Sequence, residues 1–181
     1  MRKPRTVIVG TGMLLLGATL AWAQAPVEPP KPGPEHKRME YFVGTWASEA
    51  VMKPSIFGPG GKITARDTCE WFSGGFHVVC RSEMTGWMGP IAALGIWAWS
   101  AEEKKYLTVG IDSMGSLERG SGSVDGKTWT MTSESKMGGQ AMASRYTLDV
   151  TSPDAYTFKW EMSAGGGPWT VVSEGTATRV K

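Results

Sequence analysis

The stretch Ala155-Tyr156-Thr157-Phe158-Lys159-Trp160-Glu161-Met162 alternates large apolar with polar side chains along its length. A period of two puts Tyr156, Phe158, Trp160 and Met162 on one wall of an extended strand and Thr157, Lys159 and Glu161 on the other. The same period recurs where Trp129 and Met131 alternate with Thr128, Thr130 and Thr132. It recurs again where Leu107, Val109 and Ile111 alternate with Tyr106, Thr108, Gly110 and Asp112. In that last strand periodicity alone leaves open which set faces inward.

Working outward, the spacing predicts ten strands: 45–52, 62–72, 76–84, 92–99, 105–112, 117–123, 128–135, 141–151, 155–162 and 169–179. Between them stand turn signals such as Gly58-Pro59-Gly60-Gly61, Ser73-Gly74-Gly75, Asp125-Gly126, Gly138-Gly139 and Gly165-Gly166-Gly167. Ten short-linked strands read as an all-β antiparallel meander, which leaves two open edges unless it closes. An up-and-down β-barrel of about ten strands is therefore the expected fold, with a two-sheet sandwich as the alternative. Ahead of the strands, Pro34 to Phe42 reads as one short N-terminal helix. Pro34 suits the first helical position, and Met39, Phe42 and Val43 share a face.

The chain has 181 residues, 41% hydrophobic and 20% charged, which excludes general disorder and suits a single domain. Arg2, Lys3 and Arg5 precede an apolar run over residues 6–20, and Ala21-Trp22-Ala23 supplies a small-residue exit. That is the pattern of a secretory signal peptide. The run is too short to span a bilayer, so an uncleaved anchor is the lesser reading. Cleavage is expected after Ala23, because a cut after Ala25 would put Pro26 first. Residues 1–23 are thus a signal peptide, 24–34 a proline-rich linker and 35–181 the barrel domain. Losing Arg2, Lys3 and Arg5 takes 19 basic residues to 16 against 17 acidic ones, a net charge of −1. A near-neutral domain lacks the basic surface that nucleic acid or anionic lipid requires. A periplasmic or secreted location is expected, with no stable membrane span once the signal is gone.

Cys69 and Cys80 lie symmetrically about Gly74-Gly75. A hairpin centred there places them directly opposite each other, and an oxidising compartment favours a cross-strand disulfide. A two-residue turn makes the pair hydrogen-bonded, whereas a four-residue loop, Ser73 to Phe76, makes it the closer non-hydrogen-bonded kind. Two free thiols or a redox pair are the alternatives, although no C-x-x-C supports redox chemistry.

Several short motifs occur in a fixed order: Pro32-Gly33-Pro34-Glu35-His36-Lys37, Phe42-Val43-Gly44-Thr45-Trp46, Glu70-Trp71-Phe72-Ser73-Gly74-Gly75-Phe76, Ile111-Asp112-Ser113-Met114-Gly115, Val124-Asp125-Gly126-Lys127-Thr128-Trp129 and Gly167-Pro168-Trp169. In that order they resemble the bacterial domain-of-unknown-function 1579 family, over roughly Pro32 to Lys181. Gly44-x-Trp46 after a short helix also resembles the signature of the calycin superfamily, which includes lipocalins and the haem-binding nitrobindins. The resemblance implies a calycin-like barrel in which the helix closes one end and Trp46 packs at the bottom. It implies no established activity. In nitrobindin-like barrels a histidine near the C-terminal strands holds the iron. No histidine follows His77 here, so haem is not expected, nor any other cofactor.

The remaining chemistry is sparse. His36 and His77 are far apart in sequence and do not make the three or four converging ligands of a metal site, so no metal is expected. Gly120-Ser121-Gly122-Ser123 lacks the lysine and following helix of a phosphate loop. Asp112 is either a turn-capping carboxylate or, paired with Arg119 or Arg145, a lumen ion pair, ligand anchor or proton carrier. Without Trp22 the domain keeps eight of its nine tryptophans. Trp46, Trp99, Trp129, Met131, Phe158 and Trp160, with Asp112, are the expected lining of an apolar pocket. The same aromatics could instead fill the barrel completely. Trp87-Met88-Gly89-Pro90 reads as a lid over the mouth or a partner surface. The expected function is an exported lipocalin-like barrel that binds a small hydrophobic or amphipathic molecule without covalent chemistry. Two alternatives stand beside it: an enzyme using Asp112 with an arginine, and an envelope interaction module with a filled barrel. The sequence leaves the oligomeric state open.

Overall fold

Ten antiparallel strands form one closed barrel: β1 (Gly44–Met52), β2 (Gly61–Trp71), β3 (His77–Gly86), β4 (Gly89–Ser100), β5 (Lys105–Asp112), β6 (Leu117–Asp125), β7 (Thr128–Met137), β8 (Gln140–Ser152), β9 (Ala155–Ala164) and β10 (Thr170–Arg179). Each strand pairs with its neighbour in sequence, and β1 pairs with β10. This computed structural model describes residues 28–181, the side chain of Met137 excepted. The signal peptide and cleavage site expected from the sequence, and the first part of the expected linker, residues 24–27, lie outside the described residues. Lys31 to Lys181 form one compact unit. Closure leaves no strand edge unpaired, which is why the meander does not open into a sandwich.

The helix expected over Pro34–Phe42 divides in two. An α-helical turn, α1, spans Pro34–Arg38, and a 3-10 turn follows over Met39–Phe42. The tighter turn drives Met39 and Phe42 into the end of the barrel, where they are 0% and 5% exposed. His36 Nδ1 accepts the Gly33 N–H at 3.1 Å, so this histidine caps the helix. His77 faces solvent on β3 beside Phe72. Among the described residues no group of histidine, cysteine, aspartate and glutamate side chains is arranged to hold a metal ion.

The two ends of the barrel are packed differently. At the helix end, the floor, Phe42 meets Trp97 at 5.0 Å and Trp129 at 5.0 Å between ring centres, and Tyr106 meets Trp129 at 4.7 Å. Each such pair adds about 0.5–1.5 kcal/mol beyond its buried area. The Tyr106 hydroxyl donates to Glu35 of the helix at 3.0 Å, and the Tyr41 hydroxyl to the carbonyls of Ser152 and Ala155. At the opposite end, the mouth, a smaller cluster joins Met52, Met142, Met162 and Val172, with Phe57, Ile63 and Trp160 against it.

Trp46 ties the floor to the seam. It is 1% exposed, and its indole N–H donates to the Phe42 carbonyl at 2.9 Å. Arg179, its direct partner across the β1–β10 pairing, lays its guanidinium 4.3 Å above the indole. The same guanidinium bonds the Tyr41 and Val43 carbonyls and pairs with Asp154 at 3.2 Å.

The Cys69–Cys80 disulfide forms in the expected register. The Phe72 N–H donates to the His77 carbonyl, so Ser73 to Phe76 make a four-residue loop and the cysteines occupy a non-hydrogen-bonded pair, with Cα atoms 4.0 Å apart.

Register also resolves β5. Tyr106, Thr108, Gly110 and Asp112 lie opposite Trp99, Trp97, Gly95 and Ala93 of β4 and face the lumen. The apolar set is the outer one, with Val109 and Ile111 exposed and Leu117 of β6 beside them. Trp46→Ala is expected to lower the unfolding free energy by about 3–5 kcal/mol in urea titration, the range for deleting a buried aromatic.

Candidate functional site

Laterally paired residues form rows around the inner wall. One runs Gly44, Cys69, Cys80, Gly95, Gly110 and Glu118. The next runs Trp46, Asp67, Ser82, Ala93 and Asp112. Both are poor in bulk along β4 and β5. A Cβ built on Gly95 or Gly110 would meet no atom within 4 Å, so nothing fills the space beside them. The result is a cavity of about 310 Å³ between the aromatic floor and the mouth. That is near the lower end of small-molecule sites, roughly 300–1,000 Å³. The barrel is therefore solid at the floor and hollow on the β2–β5 side.

Elsewhere glycine serves contact. A Cβ on Gly122 would collide with the Thr130 carbonyl and lie 2.7 Å from Met131 Sδ, so the missing side chain lets β6 and β7 close together.

The cavity is lined by Phe42, Trp46, Trp97, Tyr146 and Tyr156 on its aromatic side, and by Asp67 and Ser82 opposite one another on β2 and β3. The Ser82 hydroxyl donates to Asp67 Oδ1. Burial pushes the Asp67 carboxyl above its ordinary range, and the serine bond offsets part of that rise. Burial likewise raises the phenols of Tyr146 and Tyr156, and the nearby Asp67 charge adds to both shifts. No enclosed side-chain nitrogen or oxygen among the described residues lacks a partner. The Tyr146 hydroxyl and Asp67 Oδ2 make no hydrogen bond within the protein, so both open onto the cavity.

Of the pocket expected from sequence, Trp46 and Asp112 line the cavity. Trp129 and Met131 are buried in the floor cluster, and Trp99 packs there against Tyr106. Phe158 stacks on Tyr146 at 5.7 Å. Trp160 belongs to the mouth cluster and donates its indole N–H to Ser144 at 2.7 Å.

Asp112 caps the β5–β6 turn, accepting the N–H groups of Met114 at 2.8 Å and Ser116 at 3.0 Å. Slight burial raises its carboxyl, and the bonds from Ser116, Met114 and Gly115 outweigh this and hold it below the usual range. Arg119 lies opposite Val109 on the outer wall. Arg145 pairs there with Glu161 at 2.9 Å, under the Trp169 ring. Neither arginine lines the cavity. At the mouth, the Trp87 ring lies over Gly58, where a Cβ would clash with it, so the β3–β4 turn rests on the β1–β2 loop.

Asp67, Ser82, Tyr146 and Tyr156 were not among the residues expected from sequence. The signal was present for Asp67: it stands two residues before Cys69 and four before Trp71, on the same wall as both.

The model of a family described as a protein of unknown function, DUF1579, matches residues 31–179. The chain belongs to the DUF1579 family. Among solved structures, the DUF1579 barrel is similar to Rv2717c from M. tuberculosis, with 14% identity over 82% of this chain and 99% of that one, at a TM-score of 0.60. It is also similar to the S-type phycobiliprotein lyase CPES from Guillardia theta, with 13% identity over 81% and 93% of the two chains and a TM-score of 0.52. At such identities the likeness is one of fold. Comparison with curated proteins gave no match.

The half-buried Asp67 gives a test of the site's electrostatics. A carboxyl raised in the folded state costs stability once it ionises. The folded protein should therefore lose stability as pH rises from the unfolded carboxyl value, about 3.9, through the higher folded one. Asp67→Asn keeps an acceptor for Ser82 and removes the charge. Thermal melts near neutral pH should show this variant more stable than the parent, with that segment of pH dependence flattened.

Proposed function

We propose that this protein is an exported binding barrel that holds a small amphipathic molecule in its lumen without changing it covalently. The observation that carries the reading is the cavity itself. It is walled by aromatic rings at the floor, left empty by Gly95 and Gly110, and supplied with a few inward polar groups. Burying a guest's apolar surface there contributes about 25 cal/mol per Å² of area removed from water. Asp67, Ser82 and Tyr146 would orient it. The reading assigns no proton transfer to Asp112, whose carboxylate holds the turn while Arg119 and Arg145 stay on the outer wall.

Export rests on the N-terminal pattern and is supported by the disulfide. No helix among the described residues is long and apolar enough to cross a membrane. The mature protein is proposed to occupy the periplasm or the exterior and to begin at Gln24. Intact mass of protein recovered from the cell envelope should match that start. A mass retaining residues 1–23 would refute the assigned cleavage.

Binding is tested with N-phenyl-1-naphthylamine, a neutral apolar dye. Its fluorescence should rise on mixing with the protein and the tryptophan emission should fall. Gly95→Leu projects a side chain into the open space and should abolish both signals while leaving the far-ultraviolet spectrum and thermal midpoint close to the parent's. Unchanged dye binding in that variant would place the dye elsewhere and sink the reading.

A further inference from the structure

The cavity has a charge as well as a shape. Its lining includes three carboxylates, Asp67, Asp112 and Glu118, and no lysine, arginine or histidine. Two of the three are already engaged. Asp112 is held by its turn, and Glu118 accepts the Ser133 hydroxyl near the mouth. Asp67 differs in depth and in partners: one serine serves one of its oxygens, and the other faces the void. Around the same void stand the rings of Tyr146, Tyr156, Trp97 and Phe42, and the Tyr146 hydroxyl opens into it unpartnered. Arg179, stacked on Trp46, is occupied by Asp154 and two floor carbonyls and does not line the cavity.

A half-buried carboxylate facing a cavity walled by aromatic rings, with no cation of the protein lining it to neutralise the charge, is a site short of one positive charge. Hydrogen-bond donors that are neutral would satisfy the free oxygen and leave the charge uncompensated. An ammonium group supplies both, and aromatic faces attract it through their quadrupoles. We propose that the cavity binds an organic ammonium ion whose nitrogen meets Asp67 within the ring of aromatic side chains. This deepens the binding-barrel reading and rests on it. The apolar remainder of such a ligand would extend along the side of the cavity left open by Gly95 and Gly110. The Tyr146 hydroxyl, as donor or acceptor, would complete the polar pole.

The test uses the processed protein and three probes of one outline at about pH 8, where the amine probe is still cationic: 2-phenylethylamine, 2-phenylethanol and phenylacetate. Isothermal titration should give the amine at least about tenfold tighter binding than the alcohol, with phenylacetate weaker still. Asp67→Asn, folded by its melting curve, should erase the preference of amine over alcohol. Glu83→Gln, an exposed carboxylate on the outer face of β3, should leave it intact.

Equal or tighter binding of the alcohol or the acetate overturns the proposal, as does a preference that survives Asp67→Asn. If none of the three binds while N-phenyl-1-naphthylamine does, the ammonium assignment fails and the binding barrel stands. If the dye fails as well, both fall.

Discussion

The stack of Arg179 on Trp46 is the contact on which the architecture depends. The two residues face each other across the β1–β10 pairing, the one ladder joining the ends of the sheet. Every other ladder links strands adjacent in sequence and can form locally. This one must wait for the whole meander to curl. The indole N–H then reaches the Phe42 carbonyl, and the guanidinium reaches the Tyr41 and Val43 carbonyls. Closing the seam and seating the floor plug are therefore one event, and a barrel that failed to close would also lose its floor.

With the floor fixed, the interior is decided by side-chain size along each row. Bulky residues gather where α1 and the turn after it enter: Phe42, Trp97, Tyr106 and Trp129 leave no room. Small ones gather on β4 and β5, and the pleat repeats Gly95, Gly110 and Ala93 next to the disulfide. A ten-stranded barrel has more width than side chains of average size can fill. The protein fills one part and leaves another empty, so a packed core and a lumen coexist in one cylinder.

Much of this was legible in the residues. Spacing and the turn signals between apolar runs located all ten strands, with alternation explicit in the fifth, seventh and ninth. The symmetry of Cys69 and Cys80 about Gly74-Gly75 set the hairpin register, and the family resemblance carried by Gly44-x-Trp46 after a short helix implied the floor tryptophan. The wall assignment of β5 was not legible, because an apolar set and a mixed set alternate there. Only pairing with Trp97 and Trp99 turns Thr108, Gly110 and Asp112 inward. For the same reason a lining chosen by hydrophobicity took in Trp129 and Met131, which serve the floor, and passed over Asp67. An inward-facing carboxylate breaks the rule that polar residues face out, and it becomes visible by counting back from Cys69 rather than by seeking apolar residues.

A methionine near the mouth bears on how such a lumen would choose. Met84 of β3, which lines the cavity, is unbranched, and its thioether shifts rotamer at little energetic penalty. A side chain of that kind moulds itself to guests of differing outline, whereas the stacked rings of the floor do not yield. Discrimination would then fall to the fixed pole at Asp67, and the barrel would be lenient about contour while strict about electrical sign.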